Sequence, residues 1–330
     1  MMRIGLSVYG TTFSMGIHPA SGRSAISPTE LMDQALAAGL RGVELHVSLL
    51  EGHDVAAVAK YARERGLFIT LDTGGYDPSQ LARDIELGAR LGVETVRTVV
   101  GGAHFGGDRR PLAGRWQPFL QEVLAGLREA TAVAQRAGVN LAVENHQDLA
   151  SEELLWLCES IDSENFGINL DSGNPLATAE EPIDFFRRVA PYLKNVHLKD
   201  YWIYLSEEGY RLVRCPLGQG VIDFPALCKI LSETCPDMTL SVELGALEAR
   251  YTRVLADDFW PDYPPRSASQ LARVLRLVQA NAKPPGDWRT PFERGESVEE
   301  IIAYENRQLA ASLAYISTLT QGANRNGVSR

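Results

Sequence analysis

The chain has 330 residues, 45% of them apolar, and carries 42 acidic against 32 basic side chains for a formal net charge of -10. That length supports one large core, such as an α/β barrel of about 250 residues with an extension, and the acidic balance, with no basic run longer than two residues, speaks against nucleic acid or another polyphosphate partner. No stretch approaches the roughly 20 apolar residues that span a bilayer and Cys158, Cys215, Cys228 and Cys235 form no CxxC pair, so the expectation is a cytoplasmic protein, free of membrane, with reduced structural thiols.

In chain order, short apolar runs alternate with amphipathic stretches. IGLSVYG (4–10) precedes a helix opened by SPTE (27–30), in which serine, proline and glutamate are N-terminal signals. GVELHV (42–47) precedes DVAAVAKYARERG, LFITLDT (67–73) precedes PSQLARDIELGARLG, and TVRTVVG (95–101) precedes a long helix ending at AQRAG, each stopped by glycine. LAVENH (141–146), FGINLD (166–171) and NVHLKD (195–200) are followed by SEELLWLCES, EPIDFFRRVA and FPALCKILSET, and TLSVELG (239–245) comes last. Alternating β and α elements predict a parallel sheet, and eight repeats in residues 1–245 predict closure into a (β/α)8 TIM barrel. Residues 246–330 hold two proline-rich links, DDFWPDYPPRS and KPPGDWRTPF, and two helices, read as a C-terminal helical extension on the barrel or on a neighbouring subunit.

Strand side chains alternate between the barrel interior and the helix layer. In four runs the polar parity coincides: Glu144 and His146, Asn169 and Asp171, His197 and Lys199, Ser241 and Glu243. Glu144, Asp171 and His197 are each separated by about one βα unit, which places them at one height. The longer interval to Glu243 lies largely in YWIYLSEEGYRLVRCPLGQ, expected as a loop over the site. Three carboxylates and one imidazole suit one divalent ion, Mn2+ first and Mg2+ or Co2+ also, with open positions for substrate. Tyr9, Glu44, His46, Asp72 and Arg97 sit at or near other strand ends with suitable parity.

The motifs VENH, NLDSGN, VHLKD, LGQGVIDF and VELG, in this order at barrel spacing, make the chain resemble the xylose-isomerase-like sugar isomerases and epimerases, which include the ketose 3-epimerases. The resemblance implies that Glu144, Asp171, His197 and Glu243 bind one metal ion and that Glu144 and Glu243 also act as acid and base. Elementary chemistry agrees, since reversible proton transfer at a stereocentre through a metal-bound cis-enediolate needs a carboxylate on each face. The expected partner is a small-molecule carbohydrate, a keto sugar or sugar acid, and the expected assembly is a homo-oligomer. Candidate substrate contacts are His146, Lys199, His104 from the glycine-rich GGAHFGG read as a mobile loop, Asn174 and Arg211, with Arg214 beside it. Many epimerases of this family carry histidine where Asn174 stands, and asparagine can hydrogen-bond a hydroxyl but carries no proton at neutral pH. Decarboxylation of a 3-oxo sugar acid, as in relatives that break down 3-oxo-isoapionate, would pass through the same enediolate. The apurinic endonuclease branch of the fold uses three metals and several more histidines than the six present here.

Overall fold

The computed structural model describes residues 2–245 and 247–326. Each apolar run forms a parallel strand: β1 (Arg3–Ser7), β2 (Gly42–His46), β3 (Phe68–Asp72), β4 (Thr95–Thr98), β5 (Asn140–Glu144), β6 (Phe166–Asp171), β7 (Leu193–Leu198) and, after an inserted hairpin, β10 (Thr239–Val242). They close into a barrel in the order β1, β10, β7, β6, β5, β4, β3, β2. Several strands are shorter than the apolar runs because the backbone turns where a side chain captures it. Ser7 Oγ accepts the Tyr9 N–H at 3.1 Å and starts a 3-10 turn at Val8.

The helices follow their local signals. Ser27 and Glu30 form a capping box ahead of α1 (Pro28–Ala37), Asp54 caps α2 (Val55–Glu64), and Asp77 and Gly92 bound α3 (Pro78–Leu91). With α4 (Trp116–Ala137), α5 (Ser151–Ile161), α6 (Pro182–Val189) and α7 (Phe224–Thr234) they cover the barrel. The outward residues of the strands, among them Leu45, Leu71, Val96, Val143, Ile168 and Val196, are fully buried against these helices. Their burial supplies the main hydrophobic stabilisation, roughly 1.5–3 kcal/mol for each large side chain.

The segment after β7 is not a loop. It forms an antiparallel hairpin, β8 (Asp200–Ser206) and β9 (Gly209–Cys215), and β11 (Arg250–Thr252) adds to it as a third strand. The apolar parity of the hairpin explains this: Tyr201, Ile203, Tyr210 and Leu212 are buried in a second core with Leu176, Phe259 and Val274. The extension continues through α8 (Ala268–Asn281) into α9 (Val298–Asn326). Glu305 of α9 is buried and accepts the N–H groups of Thr12, Phe13 and Ser14 at 2.8–3.0 Å, which ties the helix to the loop after β1. No helix among the described residues is long and apolar enough to cross a membrane.

Candidate metal and substrate site

At the C-terminal ends of β5, β6, β7 and just past β10, Glu144, Asp171, His197 and Glu243 converge, with one donor atom from each lying within 4.8 Å of all the others. Strand register sets this, with Asp171 beside His197 and Ser241 beside His197, so Glu243 follows two residues on. The motif residues between the ligands fix the backbone. Asn145 accepts the Asp171 N–H at 2.7 Å and donates to the Asp171 carbonyl at 3.0 Å, stitching β5 to β6. Ser172 Oγ accepts the Lys199 N–H at 2.9 Å and donates to the Lys199 carbonyl at 2.8 Å. Beneath them a polar row crosses the interior: Thr239 donates to Asn195, Asn195 to Asn169, and Asn169 to Glu144.

His197 Nε2 lies 2.7 Å from Glu44 Oε2, and Ser7 donates to the other oxygen of Glu44 at 2.8 Å. A proton on Nε2 given to Glu44 turns the Nδ1 lone pair inward. Nδ1 then stands 3.4 Å from Glu144 Oε2 and 3.8 Å from Glu243 Oε2 without a hydrogen-bond partner. An unpaired imidazole nitrogen facing two carboxylates is stable only if a proton or a cation lies among them, and a carboxylate behind the histidine is the usual support of a metal ligand. Asp171 Oδ2 is likewise buried without a hydrogen bond, although the Lys199 ammonium is 2.7 Å away.

Charge balance points the same way. Among the described residues, the carboxylates of Glu44, Asp72, Glu144, Asp171 and Glu243 are buried together with two permanent cations in ion-pair contact with them, Arg97 and Lys199. Arg97 reaches Asp72 at 3.0 Å, Glu144 at 3.1 Å and Glu44 at 3.7 Å, and Lys199 bridges Asp171 and Glu243 at 2.7 and 2.5 Å. Burial works against ionised Glu44 and Glu243, but His197 and Arg97 hold the first, and Lys199 and His197 the second, down to about 2. Burial together with neighbouring carboxylates wins at Asp171, lifted to about 7 despite Lys199, and at Asp72, lifted to about 8 despite Arg97. Burial also opposes a charged His197, yet Glu44 and Glu144 raise it to about 9. The carboxylates thus outnumber their cations, and a divalent ion among the four converging donors fits both the charge and the oxygen-rich donor set.

Of the four, Glu144 and Glu243 open into a cavity of about 530 Å3 that His146 and Lys199 also line, while Asp171 and His197 are fully buried behind it. His146 packs edge-on to Phe105 at 5.9 Å, and burial, against the pull of Glu144, pushes its imidazole down to about 4, so it is neutral. Other sequence candidates lie elsewhere. Asn174 is buried behind the wall, accepting from Gln147 Nε2 at 3.0 Å. His104 borders a separate surface cavity with Tyr76 and Phe119. Its loop is pinned, not mobile, because Gly101 N–H donates to Asp148, Gly106 N–H to Gln147 and the Tyr263 hydroxyl to the Gly107 carbonyl. The Arg211 guanidinium lies between the rings of Tyr251 and Trp288, and Arg214 is buried against Gln308, Glu305 and the Leu244 carbonyl. Asp200 accepts N–H groups from Gly218, Gly220 and Ile222, so it shapes the LGQGVIDF turn.

The cavity has members the sequence reading passed over: Phe105, Gln147 and Arg250. Gln147 has φ +69, a left-handed conformation that its bonds to Asn174 and Gly106 maintain. Its place next to VENH, one residue beyond His146, was the available signal.

Comparison with known proteins bears on this arrangement. A family model described as xylose isomerase-like TIM barrel matches residues 32–276. The chain is 28% identical over 214 residues to the uncharacterized protein YihM of Escherichia coli (strain K12), covering 61% of each, and 27% identical over 183 residues to a 3-oxo-isoapionate decarboxylase of Pectobacterium atrosepticum, covering 55% of this chain and 62% of that one. The matches thus span about three fifths of the length of these curated relatives. Among solved structures, an L-ribulose 3-epimerase superimposes with a TM-score of 0.61 at 18% identity over 100% of this chain and 99% of that one, a likeness of fold.

Proposed function

Because the chain belongs to the xylose isomerase-like TIM barrel family, we propose that it is a divalent-metal-dependent isomerase or epimerase of a keto sugar or sugar acid. The observation that carries the proposal is the convergence of Glu144, Asp171, His197 and Glu243, with Glu144 and Glu243 opening into one cavity and His197 backed by Glu44. When bound, the ion supplies Lewis-acid polarisation of a carbonyl and its neighbouring hydroxyl. Glu144 takes the proton from the hydroxyl-bearing carbon, leaving the electron pair in a cis-enediolate, and Glu243, once it has taken up a proton from solvent, returns one to the same carbon for epimerisation or to its neighbour for isomerisation, in which case the hydroxyl proton passes to the former carbonyl oxygen. Arg97, held by Asp72, keeps a positive charge 3.1 Å from Glu144, and Lys199 does the same at 2.5 Å from Glu243. Lys199 favours the ionised form of Glu243, which makes it the base when the reaction runs in the opposite direction.

A second reading uses the same groups for decarboxylation of a 3-oxo sugar acid. Here the C–C electron pair is left in the enediolate as CO2 departs, and a protonated glutamate closes the reaction. It is favoured by a cation in the cavity wall, Arg250, and by the similarity to the Pectobacterium atrosepticum decarboxylase.

Proton NMR in D2O, with Mg2+-loaded protein and a panel of ketoses and 3-oxo sugar acids, tests both. Deuterium beside the carbonyl, abolished by EDTA and by Glu144→Gln, is the expected result for the isomerase or epimerase. CO2 release with deuterium in the product transfers the assignment to the decarboxylase, and silence across the panel removes the proposal.

A further inference from the structure

The cavity wall contains one cation that the barrel does not neutralise. Of the described cations facing this space, Arg97 and Lys199 are each gripped by two carboxylates at 3.1 Å or less. Arg250 is different. It is 7% exposed and its ion pair is a 3.5 Å contact with Glu248, whose side chain is 48% exposed, while its Nε, like that of Arg97, has no hydrogen-bond partner. Such a half-exposed pair contributes between about 0 and 1 kcal/mol, whereas a buried polar atom left unpaired costs about 1–3 kcal/mol. An arginine whose charge is so weakly balanced is one whose anionic partner arrives with the ligand.

Its placement is built. Arg250 begins β11, where it pairs with Leu212 of the hairpin. The glycine-rich loop lies against this strand because Gly106 has φ +83 and no side chain, and a Cβ there would stand 2.2 Å from the Tyr251 carbonyl oxygen. That approach sets the Phe105 ring under the guanidinium, 3.6 Å from its carbon to the ring centroid. One guanidinium face is therefore spent on the ring, and the in-plane donors are left for a planar or tetrahedral anion.

We infer that Arg250 is the specificity-determining residue of this site and holds an anionic group of the substrate, a carboxylate or a phosphate, so that the sugar handled here is a charged one. The inference rests on the proposed function for the nature of the substrate, but its test does not require turnover. Three probes of similar carbon skeleton, 2-keto-D-gluconate, D-fructose 6-phosphate and D-fructose, are titrated calorimetrically into Mg2+-loaded protein and into R250Q and R250K. The ratio of affinities for the anionic and neutral probes is expected to fall by about 10- to 100-fold in R250Q and less in R250K, which keeps the charge and loses the fork. The anionic probe that shows the fall identifies carboxylate or phosphate. An unchanged ratio in both variants, or equal loss for charged and neutral probes, overturns the inference. Deuterium incorporation with the same probes reports separately on the proposed reaction, which can fail while the affinity ratio still shifts.

Discussion

The floor and the wall of the cavity are built by opposite rules. At the floor, Glu44, Asp72, Glu144, Asp171 and Glu243 crowd around Arg97, Lys199 and His197, and each of them has an ion-pair contact with a group from another strand of the barrel or its end. At the wall, Arg250 comes from the extension, rests on Phe105, and has one weak partner. The floor is arranged to hold an ion and move protons, so its geometry is over-determined. The wall is arranged to recognise, and it leaves an electrostatic interaction unfilled.

The comparison can be broken most sharply at the floor. Glu144→Gln and Glu243→Gln each remove a proton-transferring group while keeping its shape, and each is expected to lower solvent-deuterium incorporation by about 10²- to 10⁴-fold. A variant within tenfold of the parent would show that its glutamate does not carry the proton. Next in size, Glu44→Gln weakens the support of His197 Nε2, and metal affinity measured by competition with a chelating dye is expected to drop about 10- to 100-fold. The extension that forms the wall is secured separately. Glu305→Ala strips four acceptor contacts from Thr12, Phe13 and Ser14 and is expected to cost about 3–5 kcal/mol in urea unfolding, since it leaves these donors without their acceptor and the buried Arg214 without a carboxylate. At the smallest end, Arg211→Ala loses ring contacts with Tyr251 and Trp288, with an expected cost of about 0.5–1 kcal/mol in the same assay.

The floor was legible in the sequence and the wall was not. Parity and βα spacing alone put Glu144, Asp171 and His197 on one ring, because a strand of period two leaves no freedom in which side a residue faces. Asn145 and Ser172 were quoted inside the motifs, but their roles were hidden, since a side chain that bonds to a neighbouring strand's backbone has no pattern of its own. The hairpin carried a readable alternation in YWIYL and YRLV, and the reading of a loop followed from counting the interval between strands instead of testing its period. Arg250 had no such signal. Its meaning depends on β11 joining β9 across the intervening helix and strand, and on a glycine, Gly106, far away in sequence.

Calorimetric titration of the chelator-treated protein with Mn2+ shows whether Glu144, Asp171, His197 and Glu243 hold an ion. One ion per chain is expected, with affinity reduced about 100-fold or more in Asp171→Asn and in His197→Ala, both of which are to be checked for retained fold by circular dichroism. Absence of binding to the parent protein, or unaltered binding in both folded variants, would contradict it.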